Sequence, residues 1–202
     1  MKITGYNIKK EYPFVVIDNW YSKKEEECIM KELRYLFADL DIMIRAENDM
    51  STAKNNTGIT KAKSYRCYIP AQSNQSFINR YTSKFLDEEL QKKISEIIPH
   101  ARAFPETNYN SQFVSYYENG DYYKEHIDKA TFSVLIYMYE EPKNFIGGSI
   151  TIENTKIECI KNRMIFFPSY YRHSVEEIKM DKIKTGYGRY TITSFYYINS
   201  NR

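Results

Sequence analysis

The stretch "YYENGDYYKEHID", Tyr116–Asp128, decides how this chain is read. It closes on His-x-Asp. If its last residues form a strand, His126 and Asp128 leave the same face, because strand side chains alternate. An imidazole and a carboxylate then converge on one point. The same spelling also describes a strand histidine bonded to a nearby acid, so His-x-Asp alone decides little. The reading turns on whether further ligands follow.

Working outward, the flanking sequence is β-like. From about Gln112, short runs rich in Val, Ile, Tyr, Phe and Thr recur: "QFVSYY", "YKEHID", "FSVLIYMY", "SITIEN", "KIECI", "RMIFFP", "HSVEEI" and "RYTITSFYYI". Asn119-Gly120, Gly147-Gly148 and Pro168 punctuate them. Regularly spaced short strands predict a sandwich or barrel. Upstream the texture differs. "FVVID", Phe14–Asp18, reads as a strand, and "YSKKEEECIMKELRYLF" as a helix opened by a Ser22/Glu25 capping box. Cys28, Ile29, Leu33 and Leu36 form its apolar stripe. "NQSFINRYTSKFLDEELQKKISEII" reads as one helix or two in succession. Between these helices, residues 47–64 are polar and aperiodic, the mark of a rim loop or lid, or of disorder.

Composition bounds the function. The chain has 202 residues, 29 basic and 26 acidic, for a net charge of +3. That is too little to imply nucleic acid as a partner. Cys28, Cys67 and Cys159 are few, odd in number and scattered, which favours reduced thiols and a cytoplasmic setting. No apolar run suggests a membrane span.

A further ligand does follow. His173 opens the run "HSVEEI" after a "SYYR" turn, where it can reach a barrel mouth. Two histidines and one carboxylate form a face that leaves coordination positions open and suits non-haem Fe(II). His100, in "IIPHAR", lies before the β region and reads as structural or surface. An open ferrous site needs a co-substrate, and a 2-oxo acid can chelate it. A cation is then needed for the far carboxylate. Arg189, in "GYGRYTITSFYY", is suited to that task. Thr191 shares its strand face and can donate a hydroxyl.

With these residues in hand, the sequence resembles the 2-oxoglutarate- and Fe(II)-dependent dioxygenases, in their prolyl-4-hydroxylase-like branch. His126, Asp128, His173 and Arg189 match that family's H-x-D, distal His and Arg in order. Tyr117, Gly120, Tyr123, His126 and Asp128 keep the spacing Y-x-x-G-x-x-Y-x-x-H-x-D. "FVVIDNWYSKKEEECIMKEL", "FIGGSITI" and "GRYTITSFYY" look like the branch's opening, Gly-Gly and closing segments. The resemblance implies an α+β chain, a double-stranded β-helix (jelly roll) with N-terminal helices packed on it. It implies one domain over 1–202, helix-rich over 1–105 and β-helical over 106–202. His126, Asp128 and His173 would bind iron, and Arg189, Tyr137, Tyr117 and Thr191 would bind 2-oxoglutarate. Succinate and carbon dioxide would be co-products of hydroxylation, with ascorbate as an accessory reductant. Dioxygen and a prolyl peptide, or a small molecule, would be partners; no nucleic acid or membrane is expected.

There are departures. Phe195 stands in the region where Trp often follows the Arg. "KMDKIKTGYG" adds polar length between His173 and Arg189, read here as a longer hairpin. Thr191 and Phe195 break the R-x-N-x-T-x-R pattern of nucleobase demethylases. Tyr109, Tyr116, Tyr122, Tyr170 and Tyr171 are candidates to line a substrate channel or to pack, with Tyr116 and Tyr122 foremost. Two other readings stay open: a non-redox, cupin-like metal barrel and a catalytically silent interaction module.

Overall fold

The computed structural model describes residues 2–7, 11–70 and 75–199. Strand β1 (Lys2–Tyr6) pairs with β2 (Phe14–Asp18), and helix α1 (Lys23–Leu36) follows. The capping box forms as read: the Ser22 amide donates to Glu25 Oε2 at 2.7 Å, and the Glu25 amide to Ser22 Oγ at 3.4 Å. The stripe on α1 is shifted by a residue. Ile29, Met30 and Leu33 are buried, while Cys28 and Leu36 are only half-buried. The second helical stretch divides into α2 (Phe77–Thr82), a 3-10 turn and α3 (Glu88–Ile97), each α-helix opened by a side-chain cap from Ser76 or Asp87. Asn74, at the start of that reading, lies outside the described residues. No helix among the described residues is long and apolar enough to cross a membrane.

The remaining strands are β3 (Ile44–Arg45), β4 (Ala62–Lys63), β5 (Tyr65–Ile69), β6 (Tyr109–Tyr117), β7 (Tyr122–His126), β8 (Phe132–Met138), β9 (Ile150–Ile152), β10 (Thr155–Ile157), β11 (Arg163–Pro168), β12 (His173–Val175) and β13 (Arg189–Tyr197). They form an eight-stranded sheet, β1-β2-β11-β8-β13-β6-β5-β3, and a five-stranded sheet, β10-β9-β12-β7-β4. This is the double-stranded β-helix that the resemblance implies, with helices on one face of the larger sheet. Besides β2, which the sequence shows as a strand, the helix-rich N-terminal part contributes β1, β3 and β5 to the large sheet and β4 to the small one.

Period-two alternation builds two cores from the same strands. Val134 and Ile136 on β8, Phe166 on β11 and Ile192 on β13 pack with Ile29, Leu33 and Ile94 of the helices. Their neighbours Leu135, Tyr137, Ile165 and Phe167 turn the other way, onto Ile150, Ile152 and Val175 of the small sheet. A continuous apolar run is therefore two alternating faces, both buried. Each fully buried aliphatic or aromatic side chain contributes about 1.5–3 kcal/mol. On β13 the inter-sheet face belongs to the odd positions, so Arg189, Thr191, Thr193 and Phe195 share one side.

The polar stretch 47–64 is pinned rather than free. Asp49 accepts from Arg66 Nη1 at 2.9 Å, Tyr68 Oη at 2.6 Å and the Ser51 amide at 2.8 Å. The Ala53 amide donates to Tyr123 Oη at 3.2 Å, and Lys54 bridges Thr60. The connection from β12 to β13 is not the lengthened hairpin that the sequence suggests. Its two strands belong to different sheets, so the chain crosses from one to the other through irregular backbone. Tyr116 secures this crossing. Its ring is fully buried, and its hydroxyl accepts from the amides of Gly186 at 2.7 Å and Gly188 at 3.1 Å. Gly188 also lets the backbone touch β6, since a Cβ there would lie 2.1 Å from the Tyr117 carbonyl oxygen.

Two predictions follow from these anchors. Tyr116→Phe leaves two amides without their acceptor and should cost about 1–3 kcal/mol in urea unfolding; wild-type stability would show that water replaces the hydroxyl. Burial alone would raise the Asp49 carboxyl, but hydrogen bonds from Tyr68, Ser51 and Arg66 outweigh it and bring it down to about 2. A depressed carboxylate stabilises fully above its unfolded pKa and loses that contribution as pH falls through the folded value. The gap in urea midpoint between wild type and Asp49→Asn should thus be constant above about pH 4 and close towards pH 2; a gap that does not vary with pH would exclude this linkage.

Candidate metal centre and anion pocket

His126 is the last residue of β7 and His173 the first of β12, and the ladder sets them opposite each other. Asp128 differs from the sequence reading. It lies beyond the end of β7, where its amide donates to the Ser169 carbonyl at 3.0 Å. The alternation nevertheless persists: Ile127 points outward, 56% exposed, and Asp128 turns back to the histidines. His126 Nε2 lies 3.6 Å from Asp128 Oδ1, and His173 Nε2 lies 3.3 Å from Asp128 Oδ2. The candidate ligand atoms all fall within 4.8 Å of one another. Ligands about 2.1 Å from a common ion sit roughly 3–4 Å apart, so little movement closes the set.

The surrounding bonds orient each donor. His126 Nδ1 faces the Lys124 carbonyl at 2.9 Å and His173 Nδ1 the Tyr171 carbonyl at 2.9 Å. Each ring donates its Nδ1–H there and leaves Nε2 directed at the cluster, the arrangement expected of metal-binding histidines. Ser133 Oγ donates to Asp128 Oδ2 at 2.8 Å and meets Ser169 Oγ at 2.8 Å. The Tyr123 ring stacks on His126 with centroids 3.6 Å apart and planes 8° apart. Burial, then the neighbouring His173 charge, brings His126 down to about 3, so this imidazole is neutral. Burial pulls His173 down too, but the Asp128 carboxylate outweighs it and the net shift is upward. Burial would raise Asp128; the two imidazoles and the Ser133 hydroxyl reverse this and hold it below the usual carboxylate range.

Deeper between the sheets lies Arg189. It is 0% exposed, and Nε, Nη1 and Nη2 all lack a hydrogen-bond partner. Its guanidinium carbon sits 4.8 Å from the centroid of Tyr117 and 4.6 Å from that of Tyr137. The hydroxyls of Tyr137 and Thr191 are also buried and unpartnered. The Cys159 thiol packs nearby; burial raises it, against the pull of the Arg189 charge. Gly148 makes room for the arginine: at φ +73° it takes a left-handed conformation, and a Cβ there would meet Arg189 Cδ at 2.9 Å. A buried cation with no counter-charge is costly, and polar groups left unpaired add to the cost. The pocket has the chemistry of a carboxylate receptor, with a guanidinium fork and two hydroxyls. A narrow cavity of about 40 Å³ joins it to His126, Asp128 and His173.

Every residue read from the sequence as an iron or co-substrate contact therefore falls in one place. Of the candidate channel tyrosines, Tyr116, Tyr122, Tyr170 and Tyr171 do not, while Tyr109 packs against Tyr197 at the outer end of β13. Tyr116 is committed to the fold, Tyr171 is buried beside Tyr12 and Tyr170, and Tyr170 leans on exposed His100. Tyr122 faces the outer surface of the small sheet with Lys124 and Glu125. The space that opens beside Asp128 is lined instead by Tyr68, Phe113, Tyr123, Phe195 and Tyr197. Sequence reasoning also passed over Ser133, for which position alone gives no signal.

Comparison with known proteins agrees with this geometry. Residues 111–197 match the model of the 2OG-Fe(II) oxygenase superfamily. An uncharacterized PKHD-type hydroxylase of Synechocystis is 25% identical over 166 residues, which cover 70% of this chain and 53% of that protein. The chain thus spans about half the length of the curated relative it matches. The prolyl-4-hydroxylase structure from Pseudomonas putida superposes with a TM-score of 0.66 at 15% identity, covering 93% of each chain. A 2OG-Fe(II) oxygenase-family oxidoreductase from Burkholderia pseudomallei gives 0.56 at 12% identity, covering 92% of this chain and 85% of that one. At such identities the structures speak for the fold alone. Fold, matched stretch and hydroxylase relative point the same way: residues 111–197 are similar to the 2OG-Fe(II) oxygenase superfamily, within a prolyl-4-hydroxylase-like fold.

Proposed function

We propose that this protein is a 2-oxoglutarate-dependent Fe(II) dioxygenase that hydroxylates a C–H bond of its substrate, a prolyl residue of a peptide being the foremost candidate. The observation that carries the reading is Arg189, a fully buried guanidinium with three unpartnered nitrogens beside a His-Asp-His cluster. A metal barrel without an acidic co-substrate has no use for that cation, which disfavours the cupin-like alternative. His126, Asp128 and His173 would hold the iron, and Arg189, Tyr137 and Thr191 would receive the far carboxylate of 2-oxoglutarate. When bound, iron with 2-oxoglutarate and dioxygen supplies the oxidising chemistry: the keto acid loses carbon dioxide to become succinate, and one oxygen atom goes to the substrate.

The chain's own residues then have limited tasks. Neutral His126 presents a lone pair without first shedding a proton. Asp128 supplies the one anionic ligand, and Ser133 fixes its rotation. Arg189 orients the co-substrate along the inter-sheet face of β13. The rings of Tyr117 and Tyr137 cover the guanidinium and keep water from it, so its attraction for a carboxylate is not diluted. Tyr117 acts here through its ring, as a wall of the anion pocket.

Two measurements test this. Arg189→Met removes an uncompensated buried charge, so it should raise the melting temperature of the ligand-free protein while abolishing stabilisation by added 2-oxoglutarate. Loss of stability together with retained 2-oxoglutarate binding would refute the anion-pocket role. Asp128→Ala should lower 2-oxoglutarate-dependent succinate release by at least about a hundred-fold with the fold retained; turnover equal to wild type would eliminate the iron-ligand assignment.

A further inference from the structure

A groove of about 490 Å³ opens beside Asp128 and runs away from the histidines. Its floor is a chain of rings on β5, β6 and β13. Tyr68 and Phe113 lie 5.6 Å apart, Phe113 and Phe195 5.6 Å, and Phe195 and Tyr197 6.5 Å; Tyr109 continues the chain 5.4 Å beyond Tyr197. The array steps across the sheet from Tyr68 through Phe113 to Phe195 and then runs along β13 to Tyr197, so a ligand must be extended to cover it. A single small ring would leave most of it exposed.

The rim has a sign. Lys54 and Lys129 line the groove, are exposed and form no ion pair among the described residues. Arg66 is already committed to Asp49. The one carboxylate that lines the groove is Asp128, which is turned to the histidines. No carboxylate on the walls is left to receive a basic ligand. Met50, 93% exposed, and Ile127 add aliphatic contacts at the mouth.

We infer that the groove binds an extended peptide segment bearing acidic side chains next to the residue that reacts. The clause about reaction rests on the oxygenase reading; the binding preference does not. Aromatic floors of this kind accept extended backbones, with pockets between the rings for successive residues. Two unpaired lysines favour carboxylates in the flanking positions. Stacked bases with phosphates would satisfy rings and lysines as well. A net charge of only +3 and the exposed aliphatic rim favour the peptide.

The test uses fluorescein-labelled Glu-Pro-Ala, Gln-Pro-Ala and Lys-Pro-Ala repeat peptides of equal length, with oligothymidylate alongside. Binding to the whole purified chain is read by fluorescence anisotropy. The Glu peptide should bind at least about five-fold more tightly than the Gln peptide, and added salt should erode the difference. The Lys peptide should bind weakest. The double variant Lys54→Gln, Lys129→Gln should bring the Glu peptide to the level of the Gln peptide. Tyr197→Ala should weaken all three alike. Equal binding of Glu and Gln peptides, no binding of any peptide, or tighter binding of oligothymidylate would each overturn the inference. Succinate release without peptide separates the two readings. A protein that turns over 2-oxoglutarate but ignores the Glu peptide loses only the present inference. One that selects the Glu peptide but neither binds nor turns over 2-oxoglutarate loses only the oxygenase reading.

Discussion

A guanidinium sealed between two sheets without a counter-ion is the constraint around which this structure is arranged. Arg189 stays charged at any physiological pH, so it cannot relieve its burial by neutralising. Two tyrosine rings lie against it and return part of the lost solvation through their faces. They return too little to make it comfortable. The protein carries this cost from its other contacts, most of them in the two apolar cores on either side of the large sheet. A fold that places such a side chain at its centre is stabilised by whatever anion arrives there. Ligand binding and folding stability are then two readings of one interaction.

The backbone around the arginine reflects the same constraint. Gly148 adopts a left-handed turn and leaves room for the arginine stem, where any Cβ would collide. Gly188, immediately before Arg189, lets β13 enter against β6 with no side chain between them. The Tyr116 hydroxyl then holds the crossing on both sides of Tyr187. The tyrosine pair in "YYENGDYYKEHID" is thus divided by strand parity. Tyr116 turns to the helix side and secures the approach to Arg189, while Tyr117 turns inward and covers it. Tyr123 repeats the division against Tyr122, stacking on His126 while its neighbour faces the outer surface of the small sheet.

What could be read from the sequence was what local parity determines. His126, Asp128 and Arg189-x-Thr191 each depend on one short stretch, and their relative directions follow from alternation alone. The double-stranded β-helix was legible through the order of these elements together with a family resemblance. Other features depend on pairing across long separations, which periodicity does not encode. Phe113, Phe195 and Tyr68 form one floor only because β5, β6 and β13 are neighbours in the sheet. The connection from β12 to β13 looked like a hairpin because strand-like runs flank it; only the topology shows that they belong to different sheets. Asp128 left the strand and kept its direction, so its place beside the histidines was readable although its local structure was not.

Strand β13 joins the two ends of the candidate site. Its odd positions run from Arg189 through Thr191 and Thr193 to Phe195 and Tyr197, a span of roughly 26 Å at strand rise. The buried end has an unpaired cation and hydroxyls, and the outer end has rings and a lysine-edged rim. The His-Asp-His cluster faces this line from the small sheet. One side-chain face of one strand therefore sets out, in order, an unpaired guanidinium, the positions facing the His-Asp-His cluster and an aromatic floor. A one-residue slip in its register would turn every one of these groups to the helix side at once. Pairing of the whole of β13 with β6, and of Tyr190–Tyr196 with β8, is what guards against that slip. The length of this strand, more than any single contact, keeps the candidate site assembled.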